Sequence, residues 1–197
     1  MLLKDIHQNR RLYTVLEKNS FFNPKHPEWD DPVFVELRKS AILQCREEFI
    51  DLCQFIETNK IRSYLEIGVW TGKLVSALNY IFLFDRVYAC DTLKHGMPIS
   101  LPPGSILFVG SSRSASFREW RKQIGKIDLT FVDGEHTKEA VEEDFKNNKD
   151  LSRFVAFHDI SGWWEDQEGL KYFWKNLKGT KVEFIHSILG IGVWSKK

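Results

Sequence analysis

From residue 63 onward the sequence alternates short apolar runs with amphipathic stretches of helical period, and this alternation restricts the possible folds more than any other feature. Ser63-Tyr-Leu-Glu-Ile67 reads as a strand, and 72–84 as a helix with Leu74, Val75, Leu78 and Ile81 on one face. Further strands are predicted over 86–90, 106–109, 127–132 and 154–157, with helices over 114–123, 137–148 and 169–177. The stretches 181–185 and 190–194 read as two final strands joined by a short turn. Strand and helix alternating at this spacing predict an α/β layered fold around a mostly parallel sheet. Ligands of such sheets sit beyond the carboxyl ends of the strands, where the strand order reverses.

The first sixty residues have a different texture. Residues 5–18 fit a helix with Ile6, Leu12, Val15 and Leu16 as its apolar set, and Pro24, Pro27 and Pro32 then mark a loop around Trp29. Residues 33–57 carry apolar positions at threes and fours (Leu37, Ile42, Cys45, Phe49, Leu52, Cys53, Ile56), which predicts one long helix or two. The chain therefore divides into an N-terminal helical extension, 1–59, expected to act as a lid or an oligomer contact, and a larger unit, 60–197. Its 197 residues suit a single hydrophobic core. With 28 Lys+Arg against 27 Asp+Glu, the formal charge of +1 argues against non-specific binding to nucleic acid or to an anionic membrane. Cys45, Cys53 and Cys90 show no metal-finger spacing and fit buried free thiols in a reducing compartment. The N-terminus lacks a secretory apolar core, and no apolar run approaches the ~18 residues of a membrane span. A cytoplasmic protein is the expectation.

Two features bear on chemistry. Leu65-Glu-Ile-Gly-Val-Trp-Thr-Gly72 is a strand ending in a glycine-bracketed turn that opens a helix. Gly68 and Gly72 allow close backbone approach, and the turn's N–H groups suit a polar ligand. Trp70 stands where a dinucleotide fingerprint has its middle glycine, which leaves less room for a pyrophosphate. Asp91, directly after the second strand, can accept two hydrogen bonds from the hydroxyls of a ribose.

Together with the Gly110-Ser-Ser112 turn and Asp-Leu-Thr-Phe-Val-Asp-Gly-Glu-His136, these residues make the chain resemble the class I S-adenosylmethionine-dependent methyltransferases over roughly residues 60 to 194. Within them it is most similar to the small-molecule O-methyltransferase branch with the macrolide-sugar methyltransferases and the cephalosporin hydroxylase group. The resemblance implies a Rossmann-like methyltransferase fold, with a seven-stranded sheet whose last two strands form an antiparallel hairpin. It implies S-adenosylmethionine as cofactor. Glu66, Gly68, Thr71 and Gly72 would belong to the cofactor site, the last three near the methionine part, with Asp91 at the ribose and Ser111 or Ser112 near the adenine. The strand-end positions that hold a divalent metal, Mg²⁺ or Mn²⁺, in relatives correspond to Asp133, His158 and Asp159, and the base to His136. The acceptor would be a small hydroxylated molecule, and a homo-oligomer is an open expectation.

The chemistry is coherent without the resemblance. An alcohol ionises reluctantly at neutral pH, so a transfer onto oxygen needs a base, and His136 has an intrinsic pKa in the useful range. His158 departs from the relatives, which carry a carboxylate there, and imidazole is a poor ligand for Mg²⁺. Glu135 reads as a helix-start acid, and Glu139, Glu142, Glu143 and Asp144 as a solvated helix face. Trp163 and Trp164, just after Asp159, are candidates for an acceptor-pocket wall or for core. The competing readings are a non-catalytic binding protein on the same fold, a Rossmann-like oxidoreductase and a metal-dependent hydrolase.

Overall fold

A computed structural model describes residues 4–23, 39–162 and 168–196. Ahead of the sheet the described residues include α1 (Ile6–Lys18), β1 (Phe21–Phe22), β2 (Ile42–Cys45) and α2 (Arg46–Thr58). The remainder runs β3 (Ser63–Ile67), α3 (Lys73–Phe82), β4 (Arg86–Asp91), β5 (Ile106–Val109), α4 (Ala115–Gln123), β6 (Ile127–Val132), α5 (Lys138–Asn148), β7 (Ser152–His158), α6 (Glu168–Asn176), β8 (Thr180–Phe184) and β9 (Ile191–Ser195). Helix starts follow local chemistry. The side chains of Asp5, Ser114 and Thr137 cap α1, α4 and α5 by accepting from the backbone N–H of Gln8, Phe117 and Ala140.

Strands β3 to β9 form one seven-stranded sheet in the order β5-β4-β3-β6-β7-β9-β8. The first five run parallel, β9 is antiparallel to β7, and β8 and β9 form the antiparallel hairpin. Every residue of the central strand β3 is buried, because helices cover both faces. Successive residues of a strand point to opposite faces. Tyr64 joins Leu129, Phe131 and Val193 on the side covered by α1, α2 and α3, where Leu12, Phe49, Leu52 and Leu78 pack. Leu65 and Ile67 join Val155 and Phe157 on the other side, under Phe117 of α4, Val141 of α5 and Phe173 and Trp174 of α6. Much of the aromatic content is core of this kind: Phe145 meets Trp194 edge-on at 4.8 Å and Phe173 at 5.6 Å.

One expectation is corrected. Within the described part of 33–57, residues 39–40 are helical, 42–45 are a strand, and a helix runs again from Arg46, so the helical reading is interrupted by a strand. Ile42 and Cys45 pair in parallel with Phe21 and Phe22, so the backbone of this short apolar run is satisfied by pairing. A run of four apolar-leaning residues has no period of its own that distinguishes strand from helix. The N-terminal elements share a hydrophobic cluster with the sheet. All three cysteines are buried and free, and no helix among the described residues is long and apolar enough to cross a membrane. Trp29, Trp163 and Trp164 lie outside the described residues.

Candidate active site

The carboxyl ends of β3 to β7 open into one cavity of about 840 Å³. The strand order reverses between β3 and β6, which is where an open parallel sheet leaves a crevice. Gly68 takes φ +81°, and a Cβ there would collide with the backbone carbonyl of Asp133. The loops after β3 and β6 therefore touch backbone to backbone, an approach closed to any side chain. Trp70 follows at φ +53°, with its ring against His95 at the cavity wall.

Asp91, at the end of β4, ties this loop down. Its Oδ2 accepts from the N–H of Val69 at 2.9 Å and Trp70 at 3.2 Å, and its Oδ1 from Leu93 N at 2.7 Å. Oδ2 is thereby filled, but Oδ1 keeps one lone pair, so the group still has capacity toward one ligand hydroxyl in the cavity. Beyond it, Gly110, Ser111 and Ser112 line the same wall. Asp144 of α5 also lines it, although the sequence reading placed this residue on a solvated face. It is 2% exposed, its Oδ1 is buried without a hydrogen-bond partner, and burial pushes its carboxyl up to about 6. Glu135 also faces the cavity and pairs with Arg113.

At the other end, β6 and β7 deliver four ionisable side chains to one point. His158 Nδ1 lies 3.3 Å from Asp133 Oδ1 and 3.3 Å from Asp159 Oδ1. His136 Nε2 lies 3.3 Å from Asp159 Oδ2 and 3.8 Å from Asp133 Oδ1, within ion-pair reach but buried without a formed hydrogen bond. Burial pulls the His158 imidazole down, but the carboxylates of Asp159 and Asp133 more than reverse this and raise it to about 9. The same balance raises His136 above the ordinary histidine value. Burial disfavours charge on Asp133, yet the charge of His158 and the contacts with both imidazoles hold its carboxyl below the usual range. Asp159 adopts φ +64°, a left-handed conformation that aspartate tolerates better than most residues.

Of the residues expected in the site, Gly68, Asp91, Ser111, Ser112, Asp133, His136, His158 and Asp159 all line this cavity. Glu66, Thr71 and Gly72 are not among the lining residues. Glu66 is buried and accepts from the Tyr64 hydroxyl at 2.7 Å, and burial pushes its carboxyl well above the ordinary range. Thr71 and Gly72 pack against the 100 region: the Thr71 carbonyl accepts from Ser100 N at 3.1 Å. The donor set with metal-ligand spacing among the described residues is Asp133, His136 and Asp159, whose ligand atoms lie within 4.8 Å of one another. It has His136 where the sequence reading placed His158. Two carboxylate oxygens and a buried imidazole nitrogen without a hydrogen-bond partner fit a divalent ion such as Mn²⁺.

Sequence reasoning missed Asp144 and Gln44, whose Nε2 donates to Asp133 Oδ2 at 2.8 Å. The only signal for Gln44 was a polar residue inside an apolar run.

No protein-family model matches the sequence, and no curated protein matches it. Among solved structures, a Staphylococcus aureus protein described as a caffeoyl-CoA O-methyltransferase is similar over 97% of this chain and 100% of its own, at 13% identity and TM-score 0.62. TomG, the O-methyltransferase of tomaymycin synthesis from Streptomyces achromogenes, solved with SAM, matches 100% of this chain and 92% of its own, at 13% identity and TM-score 0.57. MycE of the mycinamycin pathway, solved with Mg, SAH and mycinamycin VI, matches 88% of this chain at 16% identity and TM-score 0.57, and this chain spans 54% of it. The chain has the Rossmann-like fold of the class I S-adenosylmethionine-dependent methyltransferases.

Proposed function

We propose that the chain transfers the methyl group of S-adenosylmethionine to a hydroxyl oxygen of a small-molecule acceptor. One observation carries this reading: a single cavity joins a glycine loop and strand-end acid suited to a nucleoside to an acid–imidazole centre suited to moving a proton. A sulfonium already activates the methyl group, so the protein's task is to align donor and acceptor and to take up the acceptor's proton. Gly68 lets the loop pack against the strand-end acid of β6, the remaining lone pair of Asp91 Oδ1 takes a ribose hydroxyl, and Ser111 and Ser112 face the base. Glu66, Thr71 and Gly72 shape the loop from behind.

His136 receives the acceptor's proton at Nε2. Asp133 and Asp159 make it a stronger base than free imidazole and stabilise the imidazolium once it forms. His158, buried between the same carboxylates, fixes their orientation through its Nδ1. A divalent ion held by Asp133 and Asp159 beside His136 would supply Lewis-acid activation of the acceptor hydroxyl. The cavity is of the size that suits a cofactor with a small partner. The near-neutral charge supports an acceptor other than nucleic acid, and a cytoplasmic enzyme is consistent with the free cysteines.

A labelled-methyl screen of hydroxylated metabolites tests the activity, and His136→Ala tests the assignment of the base. Turnover is expected to vanish in that variant while affinity for S-adenosylhomocysteine stays within a few fold of wild type. Unchanged turnover would remove His136 from the mechanism. The clustering of His136 with the two carboxylates favours a second reading, in which it is a metal ligand. Titration of the same variant with Mn²⁺ separates the two: a base leaves metal affinity unchanged and a ligand does not.

A further inference from the structure

We infer that Gln44 is a positioning residue of the catalytic centre, supplied by a strand that lies outside the main sheet. The inference rests on the reading above only in taking Asp133 as a working carboxylate. Gln44 is 2% exposed, and its Nε2 donates to Asp133 Oδ2 at 2.8 Å across 89 residues of chain. A carboxylate only accepts, so the amide must present its nitrogen to Asp133, which turns Oε1 away. That oxygen is buried with no hydrogen-bond partner. A buried amide with one end unpaired is unfavourable as packing, and an apolar side chain of similar volume would fill the place better. The remaining rationale is the hydrogen bond to Asp133.

The backbone that carries Gln44 is fixed from two sides. Its strand β2 pairs with β1, and α2 follows without a break. Within α2, Glu48 Oε1 accepts from His186 N at 3.0 Å, from Ser187 N at 2.8 Å and from Ser187 Oγ at 2.8 Å. The segment is thereby clamped to the β8–β9 loop, and Leu43 from β2 and Leu189 from that loop both face the cavity. With Oδ2 held by Gln44, Asp133 keeps Oδ1 toward His158 and His136. Without the amide, the carboxylate is free to turn about its terminal torsion, and the spacing of the donor group is lost. The N-terminal segment therefore completes the centre.

The test uses the full chain and two variants. Gln44→Met keeps the volume and removes the donor, and Gln44→Asn keeps an amide one methylene too short to reach. Calorimetric titration with Mn²⁺ is expected to show affinity about tenfold weaker in each, the scale on which partners behind metal ligands act. Affinity for S-adenosylhomocysteine is expected to stay within about twofold, which also shows that the variants are folded, and kcat is expected to fall more than KM rises. If either variant fails to fold, the other is read alone. Mn²⁺ affinities equal to wild type overturn the inference. Wild-type protein that binds S-adenosylhomocysteine but no Mn²⁺ overturns it too, while methyl transfer stands. Wild-type protein that binds Mn²⁺ but not S-adenosylhomocysteine removes the methyl-transfer reading, and the Gln44 comparison still decides.

Discussion

Asp144 carries a buried carboxyl at the cavity wall, faced by Ser112 and Arg113 from the loop after β5, by Cys90 from β4, and by Glu135 and Glu143. Burial dominates, and the group titrates at about 6 instead of 3.8. A raised carboxyl favours the native state while protonated. Between about pH 4 and pH 6 the unfolded chain has released this proton and the native chain has not, so stability falls as pH rises through that window. Two units correspond to roughly 2–3 kcal/mol. Asp144→Asn is expected to remove this fall, so the difference in unfolding free energy between variant and wild type should grow in the variant's favour from pH 4 to pH 6. Parallel denaturation curves across that range would show that the carboxyl is solvated. Asp144 also shows why some of the site stayed hidden. Gly68 and Asp91 could be placed at the cavity because a strand end followed by a glycine or an acid is a local pattern, and Asp133 and His136 because the resemblance pointed to them. Asp144 and Gln44 owe their burial to elements distant in sequence, and nothing in their neighbours announces it.

Between elements, the loops after β3 and β6 meet backbone to backbone at Gly68. Gly68 N donates to Cys90 O at 2.9 Å, and Asp133 N donates to Ile67 O at 2.8 Å, so the glycine turn is woven into both neighbouring strands. Gly68→Ala sets a Cβ against the Asp133 carbonyl, which must move and take the carboxylate with it. Gly104 is a built-in control, since it has φ +82° with nothing within 4 Å of an added Cβ. Alanine there costs only the left-handed conformation, about 1–2 kcal/mol. Gly68→Ala is expected to cost clearly more in thermal denaturation and to weaken S-adenosylhomocysteine by at least about tenfold, a loss of ~1.4 kcal/mol, whereas Gly104→Ala binds normally. Equal losses in the two variants would mean that the loops separate without consequence. The same scale explains the misreading of β2. The strands of the sheet announced themselves by repetition with intervening helices, but β2 is a four-residue run whose partner, β1, lies twenty residues earlier in the sequence, across a stretch with three prolines. Pairing over that distance is a tertiary event, and the helical spacing of the apolar residues in 33–57 carried the helical reading through the strand.

At the scale of the molecule, the sheet order with its terminal antiparallel hairpin and the cavity at its reversal point set a choice between two nucleotide ligands. Doubly wound sheets hold dinucleotides as readily as S-adenosyl compounds, and the difference lies in the loop after the first strand. Here Trp70 fills the position that a pyrophosphate needs empty, and Asp91 already takes the N–H groups of Val69 and Trp70 that would face its oxygens. A ligand that binds only the native chain raises its stability by RT ln(1 + [L]/Kd), about 2.7 kcal/mol at a hundredfold excess over Kd. For a chain of this length each kcal/mol moves the midpoint by roughly 2–4 °C. S-adenosylhomocysteine at that excess is therefore expected to raise Tm by roughly 5–10 °C, and NAD at the same concentration to leave it unchanged. The comparison depends on the cavity alone, needs no acceptor, and is indifferent to metal. A shift with NAD and none with S-adenosylhomocysteine would assign the cavity to a dinucleotide in spite of Trp70, and the centre of Asp133, His136, His158 and Asp159 would then have to be read as serving hydride transfer.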